Sequence, residues 1–190
     1  MKTLKPCIVT FIDMIGVRAL LDAGSSEAVS IMRRMHSVVP RMANQFSSNT
    51  EICFWNDSVL IHTPVDGSVE SYEEAMRPLS TLKAAVDKIH KSYAICIKGM
   101  SFQAPPGSSS SNSARLVFLS ASSLAFANCD RVHKHLKNFR MDWYIDRRII
   151  VNIKHSISRN EDDKKKVRGL YPKGSDRTFY MFRGSFVRQH

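Results

Sequence analysis

Long apolar runs, paired cysteines and internal repeats are all absent from this sequence of 190 residues. No apolar stretch approaches the roughly 20 residues that a membrane-spanning helix needs, so we expect a soluble protein with no membrane partner. The N-terminal apolar run is short and ends at Asp13, unlike a signal peptide, and we therefore expect a cytoplasmic protein. The length suits one domain over residues 1–190 with a core of ordinary size.

The four cysteines are isolated from one another in the sequence. The absence of any Cys-x-x-Cys pair argues against a zinc site and against a disulfide framework. Free cysteine is among the residue types most often buried in protein cores. We therefore expect small buried apolar side chains at Cys7, Cys53, Cys96 and Cys129.

The net charge of +11 is unevenly placed, because basic residues are concentrated near the C-terminus. Residues 1–130 carry 12 Lys and Arg against 11 Asp and Glu, whereas residues 131–190 carry 16 against 6. A basic C-terminal extension over about 140–190 suits a solvated surface or the attraction of a nucleotide to a pocket. Nucleic-acid binding is a third interpretation, although we do not expect a nucleic-acid partner.

The first candidate site residue is an acid at the end of an apolar run. Residues 8–12 read Ile-Val-Thr-Phe-Ile, a short β-branched run that predicts a buried strand, and Asp13 follows it. Gly16 allows a tight turn, so free main-chain N–H groups at a helix start should lie beside the carboxylate. A metal-bound phosphate would bind well at such a place.

A second acid interrupts an apolar hairpin. Residues 52–61 read Ile-Cys-Phe-Trp-Asn-Asp-Ser-Val-Leu-Ile, and Asp57 lies where the tight turn should fall. A hairpin beside the first strand would bring Asp57 near Asp13. Two carboxylates that converge at strand ends are suited to a pair of divalent ions, which bridge a triphosphate and activate a hydroxyl.

The remaining periodicities predict further helices and strands. A helix over residues 17–22 and a longer one over 27–45 should precede the hairpin at 51–63. The next helix, to about Lys91, begins either near Ser71, which forms a capping box with Glu74, or near Pro78. Beyond it we predict strands over 93–102, 115–119, 149–153 and 178–182, a Ser-rich loop over 105–113, a helix over 120–137 and a charged loop over 161–168.

These features resemble the class III nucleotidyl cyclases, the adenylate and guanylate cyclase family. Residues 11–16 match the family's first metal motif, Phe-x-Asp-Ile-x-Gly, and residues 56–58 match in part the Gly-Asp-x tip of its hairpin. Residues 97–101 are similar to the Ile-Arg-Gly-Ala-Ile of a later strand. The resemblance implies an α/β (α+β) fold with a ferredoxin-like βαββαβ palm core and helices packed on a mixed or antiparallel sheet.

The resemblance also implies a site for two Mg²⁺ or Mn²⁺ ions. Asp13 and Asp57 would hold the ions, helped by the main-chain carbonyl of Met14. The ions would bind the triphosphate and lower the pKa of the ribose 3′-hydroxyl, whose oxygen attacks the α-phosphorus as pyrophosphate leaves. The phosphates would lie against the main-chain amides of Ile15, Gly16, Val17 and Arg18.

Several family positions differ here and bear on the substrate. Cys53 stands where adenylate cyclases carry a base-reading Lys, four residues before the second acid, and the second purine-reading position is apolar. Cys53 and the nearby Trp55 are therefore the candidate base contacts. The family's Asn-x-x-x-Arg, which stabilises the transition state, is not found in register, so the cation is sought among Lys98, Arg115 and Arg131.

A short cyclase domain without purine determinants is similar to the pyrimidine cyclases of the bacterial Pycsar anti-phage systems. That resemblance implies conversion of UTP to 3′,5′-cyclic UMP and pyrophosphate, with CTP as the alternative substrate. It also implies a homodimer with composite active sites. The product would be a second messenger read by a separate cyclic-nucleotide effector in anti-phage defence.

Three other functions fit parts of the sequence. A purine cyclase would fit if other residues in the base pocket replaced the missing purine-reading side chains. A diguanylate cyclase shares the palm fold, but its turn carries a second acid that residues 55–59 lack. An inactive palm domain could bind nucleic acid through its basic end, where aromatic and basic residues interleave over 177–183. Metal-dependent turnover of free nucleotides would separate that domain from either cyclase.

Overall fold

The computed structural model describes residues 4–102, 129, 133, 141–153, 165–167 and 179–182. These residues include one sheet of seven strands. The strands are β1 (Leu4–Met14), β2 (Glu51–Trp55), β3 (Ser58–Pro64), β4 (Ser92–Phe102), β5 (Trp143–Asp146), β6 (Lys165–Val167) and β7 (Phe179–Phe182). The helices are α1 (Val17–Asp22), α2 (Ser26–Met42), a 3₁₀ turn (Ala43–Gln45), α3 (Val69–Asp87) and α4 (Arg147–Ile150).

The strand order places the hairpin beside the first strand. The sheet runs β2-β3-β1-β4-β5-β7-β6, with β1 antiparallel to both β3 and β4 and with β5 parallel to β4. Helices α1 and α2 connect β1 to the hairpin, and α3 connects β3 to β4. The predicted βαββαβ palm core, with helices packed on a mixed sheet, is confirmed.

Strand alternation divides the apolar side chains between two faces of the sheet. The first face is covered by helices: Ile8, Ile12 and Met14 of β1 pack there with Met35 of α2 and Leu79 of α3. The second face carries a separate cluster, made of Cys7, Val9, Leu60, Tyr93, Ile95, Ile97, Cys129, Met141, Tyr144 and Phe179. By the same alternation, Asp13 belongs to the second face.

Helix α3 begins before either of its predicted starts. Ser68 is the N-cap, and its hydroxyl accepts a hydrogen bond from the Ser71 amide at 3.1 Å. The Ser68 amide in turn donates to the Asp66 carboxylate at 2.8 Å, which fixes the entry to the helix. Pro78 lies inside the helix. The prediction of a start at Ser71 or Pro78 was therefore wrong, because an earlier Ser takes the capping position.

The segments near the C-terminus differ most from prediction. Residues 149–153 form the end of α4 and a turn, and the strand is instead β5, at residues 143–146. Asp146 accepts a hydrogen bond from the Arg148 amide at 2.9 Å, which caps α4. Part of the predicted charged loop, Lys165–Val167, is β6 and pairs with β7. The described parts of the basic extension thus include strands of the sheet.

Several predictions concern residues outside those that the structure describes. The Ser-rich loop at 105–113 and the strand at 115–119 are among them. Of the predicted helix at 120–137 the structure describes Cys129 and His133, and both are helical. All four cysteines are free; Cys7, Cys96 and Cys129 are buried as expected, whereas Cys53 on the edge strand is only partly buried. None of the helices in the described part of the chain is long and apolar enough to cross a membrane.

Candidate active site

Asp13 lies at the end of β1, between β3 and β4. Its neighbours at the same rung of the sheet are Ser58 in β3 and Tyr93 in β4. The Ser58 hydroxyl donates a short hydrogen bond to Oδ1 of Asp13, and the Tyr93 hydroxyl donates to Oδ2 at 2.8 Å. Both carboxylate oxygens are thus held by neutral donors, and each keeps lone pairs that a ligand can use.

Asp57 lies at the tip of the β2–β3 hairpin, beside the end of β1. Asn56 and Asp57 alone connect the two strands, and Asn56 has a φ of 53°, a left-handed conformation that Asn tolerates better than most residues. The Met14 amide donates to the Asp57 carbonyl at 3.4 Å, which ties the hairpin tip to β1. The structure therefore brings together the two acids expected from the sequence.

Burial and the neighbouring Asp13 make Asp57 harder to ionise at this end of the sheet. Burial raises the pKa of Asp57, and the negative charge of Asp13 raises it further. His133 and Arg18 oppose this shift without reversing it. A divalent cation shared by the two carboxylates would relieve the repulsion.

The donor set fits Mg²⁺ or Mn²⁺, which prefer oxygen ligands. Within the described ranges, no group of three or more His, Cys, Asp and Glu side chains is placed to hold a metal ion. The protein ligands offered here are consequently two carboxylates, with the Met14 carbonyl between Asp13 and Ile15 as a main-chain candidate. Such a sparse set suits an ion that completes its shell with substrate phosphates and water.

The turn after β1 leads directly into the first turn of α1. Gly16 has a φ of 84°, a left-handed conformation that favours glycine, and it precedes the first residue of α1. The amides of Gly16, Val17 and Arg18 come at the helix start, where N–H groups have no acceptor within the helix. Ile15 differs, because its amide donates to the Lys91 carbonyl at 2.8 Å. The expectation that the Ile15 amide binds phosphate is not supported by this geometry.

The candidate base contacts lie on β2, the edge strand. Cys53 packs against the cluster on the second face, the face of Asp13, and burial raises the pKa of its thiol. Phe54 points the other way: its ring meets His36 of α2 edge-on, with the centroids 5.0 Å apart. Trp55 ends β2 and pairs with Ser58. Cys53 therefore lies four residues before Asp57 in the sequence. Trp55 lies opposite Ser58, the residue that follows Asp57.

The structure does not bring Lys98 to the two acids. Lys98 pairs with Ile8, five residues along β1 from Asp13, and its Nζ lies 4.8 Å from the centre of the Tyr72 ring. Tyr72 is a buried residue of α3, so Lys98 lies on the first face and Asp13 on the second. The other two candidates for the transition-state cation, Arg115 and Arg131, lie outside the described residues.

Sequence reasoning missed three side chains that surround Asp13. Ser58 follows Asp57 directly, and Tyr93 is the second residue of β4, which pairs with β1. His133 forms a short hydrogen bond through Nδ1 with the Tyr93 hydroxyl. A signal existed for Ser58 and Tyr93, since an antiparallel register centred on Asp13 places both at its rung. For His133 no local pattern gives such a signal.

Comparison with solved structures identifies the fold. No model of a known protein family matches the chain, and no curated protein matches it. The structure of the guanylyl cyclase Cya2 superposes with a TM-score of 0.63 at 12% identity, over 97% of this chain and 94% of that one. The chain has a nucleotidyl cyclase fold.

Two further cyclase structures agree with this assignment. A bacterial light-regulated adenylyl cyclase gives a TM-score of 0.65 at 12% identity, over 98% of this chain and 54% of that one. The dimeric guanylyl cyclase domain of the RhoGC fusion protein, from the aquatic fungus Blastocladiella emersonii, gives 0.60 at 10% identity, over 97% of both chains. At these identities the likeness establishes the cyclase fold.

Proposed function

We propose that the protein is a nucleotidyl cyclase, which converts a nucleoside triphosphate to a 3′,5′-cyclic nucleotide and pyrophosphate. One observation carries the proposal: in a chain with the cyclase fold, Asp13 and Asp57 converge where β1 ends and β3 begins. The compared structures with this fold are guanylyl or adenylyl cyclases.

In the proposed reaction the ribose 3′-hydroxyl releases its proton to solvent and its oxygen attacks the α-phosphorus. The bond from that phosphorus to the bridging oxygen breaks, and pyrophosphate leaves. Negative charge grows on the phosphate oxygens as this happens. Amides of Gly16, Val17 and Arg18 donate hydrogen bonds to those oxygens from the start of α1. Ser58 and Tyr93 keep the Asp13 carboxylate in one orientation, and the hairpin turn does the same for Asp57.

Asp13, Asp57 and the Met14 carbonyl would hold two Mg²⁺ or Mn²⁺ ions. When bound, the ions neutralise charge on the triphosphate and lower the pKa of the 3′-hydroxyl. The carboxylates of Asp13 and Asp57 repel each other, and this repulsion favours the binding of a cation between them.

We assign UTP as the preferred substrate and cyclic UMP as the product. Cys53 provides no charge-assisted donor for a purine, and it lies on the face of Asp13. Phe54 packs against His36 on the other face, so Trp55 is the aromatic residue we propose for narrowing the base pocket. A narrow pocket excludes a two-ring base by size, which is easier to build than fine discrimination between bases of equal size. CTP is the alternative pyrimidine substrate.

A purine cyclase is the second candidate. The compared structures are named as guanylyl or adenylyl cyclases, and this observation favours ATP or GTP. Against it stands Cys53, at the position where the resembling adenylate cyclases carry a Lys. The two candidates differ in the base that is accepted and share the acid pair.

The product would act as a second messenger in the cytoplasm, read by a separate effector during anti-phage defence. Support for this role comes from the resemblance to the Pycsar cyclases in length and in the missing purine determinants.

The test of the function is incubation of the protein with each of the four nucleoside triphosphates and Mn²⁺, followed by chromatography. We expect cyclic UMP from UTP, a smaller amount of cyclic CMP from CTP, and little product from ATP or GTP. An Asp57→Ala chain provides the blank. Cyclic AMP or cyclic GMP as the main product would refute the base assignment, and no cyclic nucleotide from any substrate would refute the cyclase.

We also propose a two-fold homodimer in which each active site takes its acids from one chain and its transition-state cation from the other. Arg115→Ala and Arg131→Ala are each assayed for loss of activity. The inactive one, when mixed with inactive Asp57→Ala chains, should regain activity, because each heterodimer can form up to one complete active site. Sedimentation should give the mass of a dimer. A fully active monomer would contradict the arrangement.

A further inference from the structure

We propose that Tyr93 and His133 are positioning residues that hold the Asp13 carboxylate in the orientation needed to bind an ion. The inference rests on the proposed function, because it takes Asp13 to be an ion ligand. It concerns two residues that lie 80 and 120 positions from Asp13 in the sequence.

Asp13 is held from both sides by different strands. Ser58 of β3 donates to Oδ1, and Tyr93 of β4 donates to Oδ2 at 2.8 Å. One donor alone would leave the carboxylate free to turn about its last single bond, whereas donors on both oxygens fix its plane. Tyr93 is the more rigid of the two donors, because its side chain is 1% exposed and packs in the cluster on the second face.

The single proton of the Tyr93 hydroxyl fixes the direction of the hydrogen bonds. An ionised carboxylate only accepts, so the proton lies towards Oδ2 of Asp13. The Tyr93 oxygen must then accept from His133, whose Nδ1 forms a short hydrogen bond with it. Nδ1 therefore carries a proton, and donation runs from His133 to Tyr93 to Asp13.

Ring contacts fix His133 in turn. Its ring stacks on Tyr93 with the centroids 6.0 Å apart, and it meets Phe11 edge-on at 5.1 Å. Cys129, which lies four residues earlier and is also helical, is buried with its Sγ 3.8 Å from the Val9 carbonyl oxygen. The series from Asp13 through Tyr93 to His133 thus connects the ion site with helical residues packed on the second face.

Removal of a group that orients a metal ligand typically costs about 10–100-fold in metal affinity or activity. Tyr93→Phe deletes the donor and keeps the ring, so we expect Mn²⁺ to bind about 10–100-fold more weakly. The matched control is Tyr72→Phe. The Tyr72 hydroxyl is also buried, lies on the first face and has no hydrogen-bond partner among the described residues. Tyr72→Phe should bind Mn²⁺ like the wild type.

The measurement is the electron paramagnetic resonance signal of free Mn²⁺ during titration of the protein without nucleotide. It does not depend on turnover, and melting curves of each variant show whether the fold is retained. The titration compares the wild type with Tyr93→Phe, Tyr72→Phe and Asp57→Asn.

Two variants at His133 test the hydrogen bond at the Nδ1 position without changing Tyr93. The amide nitrogen of an Asn at this position can take the place of Nδ1 and donate to Tyr93. The amide of a Gln lies nearer the position of the His133 Nε2 atom and should not form a hydrogen bond with Tyr93. We therefore expect His133→Asn to bind Mn²⁺ nearly as tightly as the wild type, and His133→Gln to be weakened like Tyr93→Phe.

Wild-type affinity in Tyr93→Phe, together with lost binding in Asp57→Asn, would overturn the positioning role and leave the proposed function in place. Equal affinities of His133→Asn and His133→Gln would overturn the role of the hydrogen bond between His133 Nδ1 and Tyr93. If Asp57→Asn bound Mn²⁺ as tightly as the wild type, the acid pair would not be the ion site and both proposals would fall.

Discussion

An Asp57→Asn variant should lose its metal-dependent cyclase activity and, in metal-free buffer, melt at a higher temperature than the wild type. The folded-state pKa of Asp57 is raised by burial and by Asp13, so the fold favours the protonated acid and is weakened when Asp57 ionises. Asparagine does not ionise. Turnover should fall about a thousandfold or more, because metal assistance supplies several kcal/mol. The melting midpoint in EDTA should rise by about 1–3 °C, a small gain because Asp57 is only half-buried.

The pH dependence of this gain identifies its cause. The advantage of Asp57→Asn should be present at neutral pH and disappear as the pH falls towards 3.8, the ordinary pKa of an aspartate, because the wild-type residue then becomes protonated. Asp66→Asn is the matched control. The pKa of exposed Asp66 is lowered to about 2 by hydrogen bonds from Ser68, so its replacement should not stabilise the protein or reduce turnover. An Asp57→Asn chain that melts below the wild type at pH 7 would contradict repulsion between the acids.

Replacing Asp87 by alanine should cost more stability than any other change considered for this chain. Its carboxylate receives hydrogen bonds from Lys83 Nζ at 2.8 and 2.6 Å, and Lys83 is 1% exposed. The same carboxylate accepts from the amide and hydroxyl of Ser92, the residue before Tyr93. Leaving a buried charge unpaired costs about 3–5 kcal/mol, and partial exposure of Asp87 reduces this to about 2–3 kcal/mol. The melting midpoint should therefore fall by roughly 5–10 °C.

Two further variants separate the buried charge from general effects of mutation. Lys83→Met combined with Asp87→Ala removes both charges and should recover most of the lost stability, because no unpaired charge is left. Asp22→Ala removes the partner of Arg18 in an exposed pair with N···O of 4.0 Å, and should change stability by less than about 0.5 kcal/mol. Denaturant unfolding measures all three. If Asp87→Ala lowered the free energy of unfolding no more than Asp22→Ala does, the ion pair with Asp87 would not be needed to keep Lys83 buried.

The features that the sequence predicted well are encoded within a few neighbouring residues. The apolar run before Asp13 and the glycine after it define the end of β1 and the start of α1, whose predicted bounds at 17–22 are those observed. The hairpin turn at Asn56 and Asp57 follows from two apolar arms around a polar pair. Both acids of the candidate site could therefore be predicted.

The features that were missed depend on long-range packing or on an ambiguous pattern. Tyr93 reaches Asp13 only because β4 pairs with β1 in one register, which the whole sheet determines. Ile149, Ile150 and Ile153 are buried, and a short buried apolar run is compatible with either a strand or a helix. The capping carboxylate of Asp146, just before this run, decides in favour of the helix.

The most direct test of the central claim is a crystal structure with Mn²⁺ and 3′-deoxy-UTP, which has no nucleophile and cannot cyclise. Anomalous scattering recorded at the manganese edge locates the ions independently of the protein density. We expect two peaks, both within bonding distance of Asp13 and Asp57, with the triphosphate against the amides of Gly16, Val17 and Arg18. A bound nucleotide with no manganese peak beside either acid would contradict that claim.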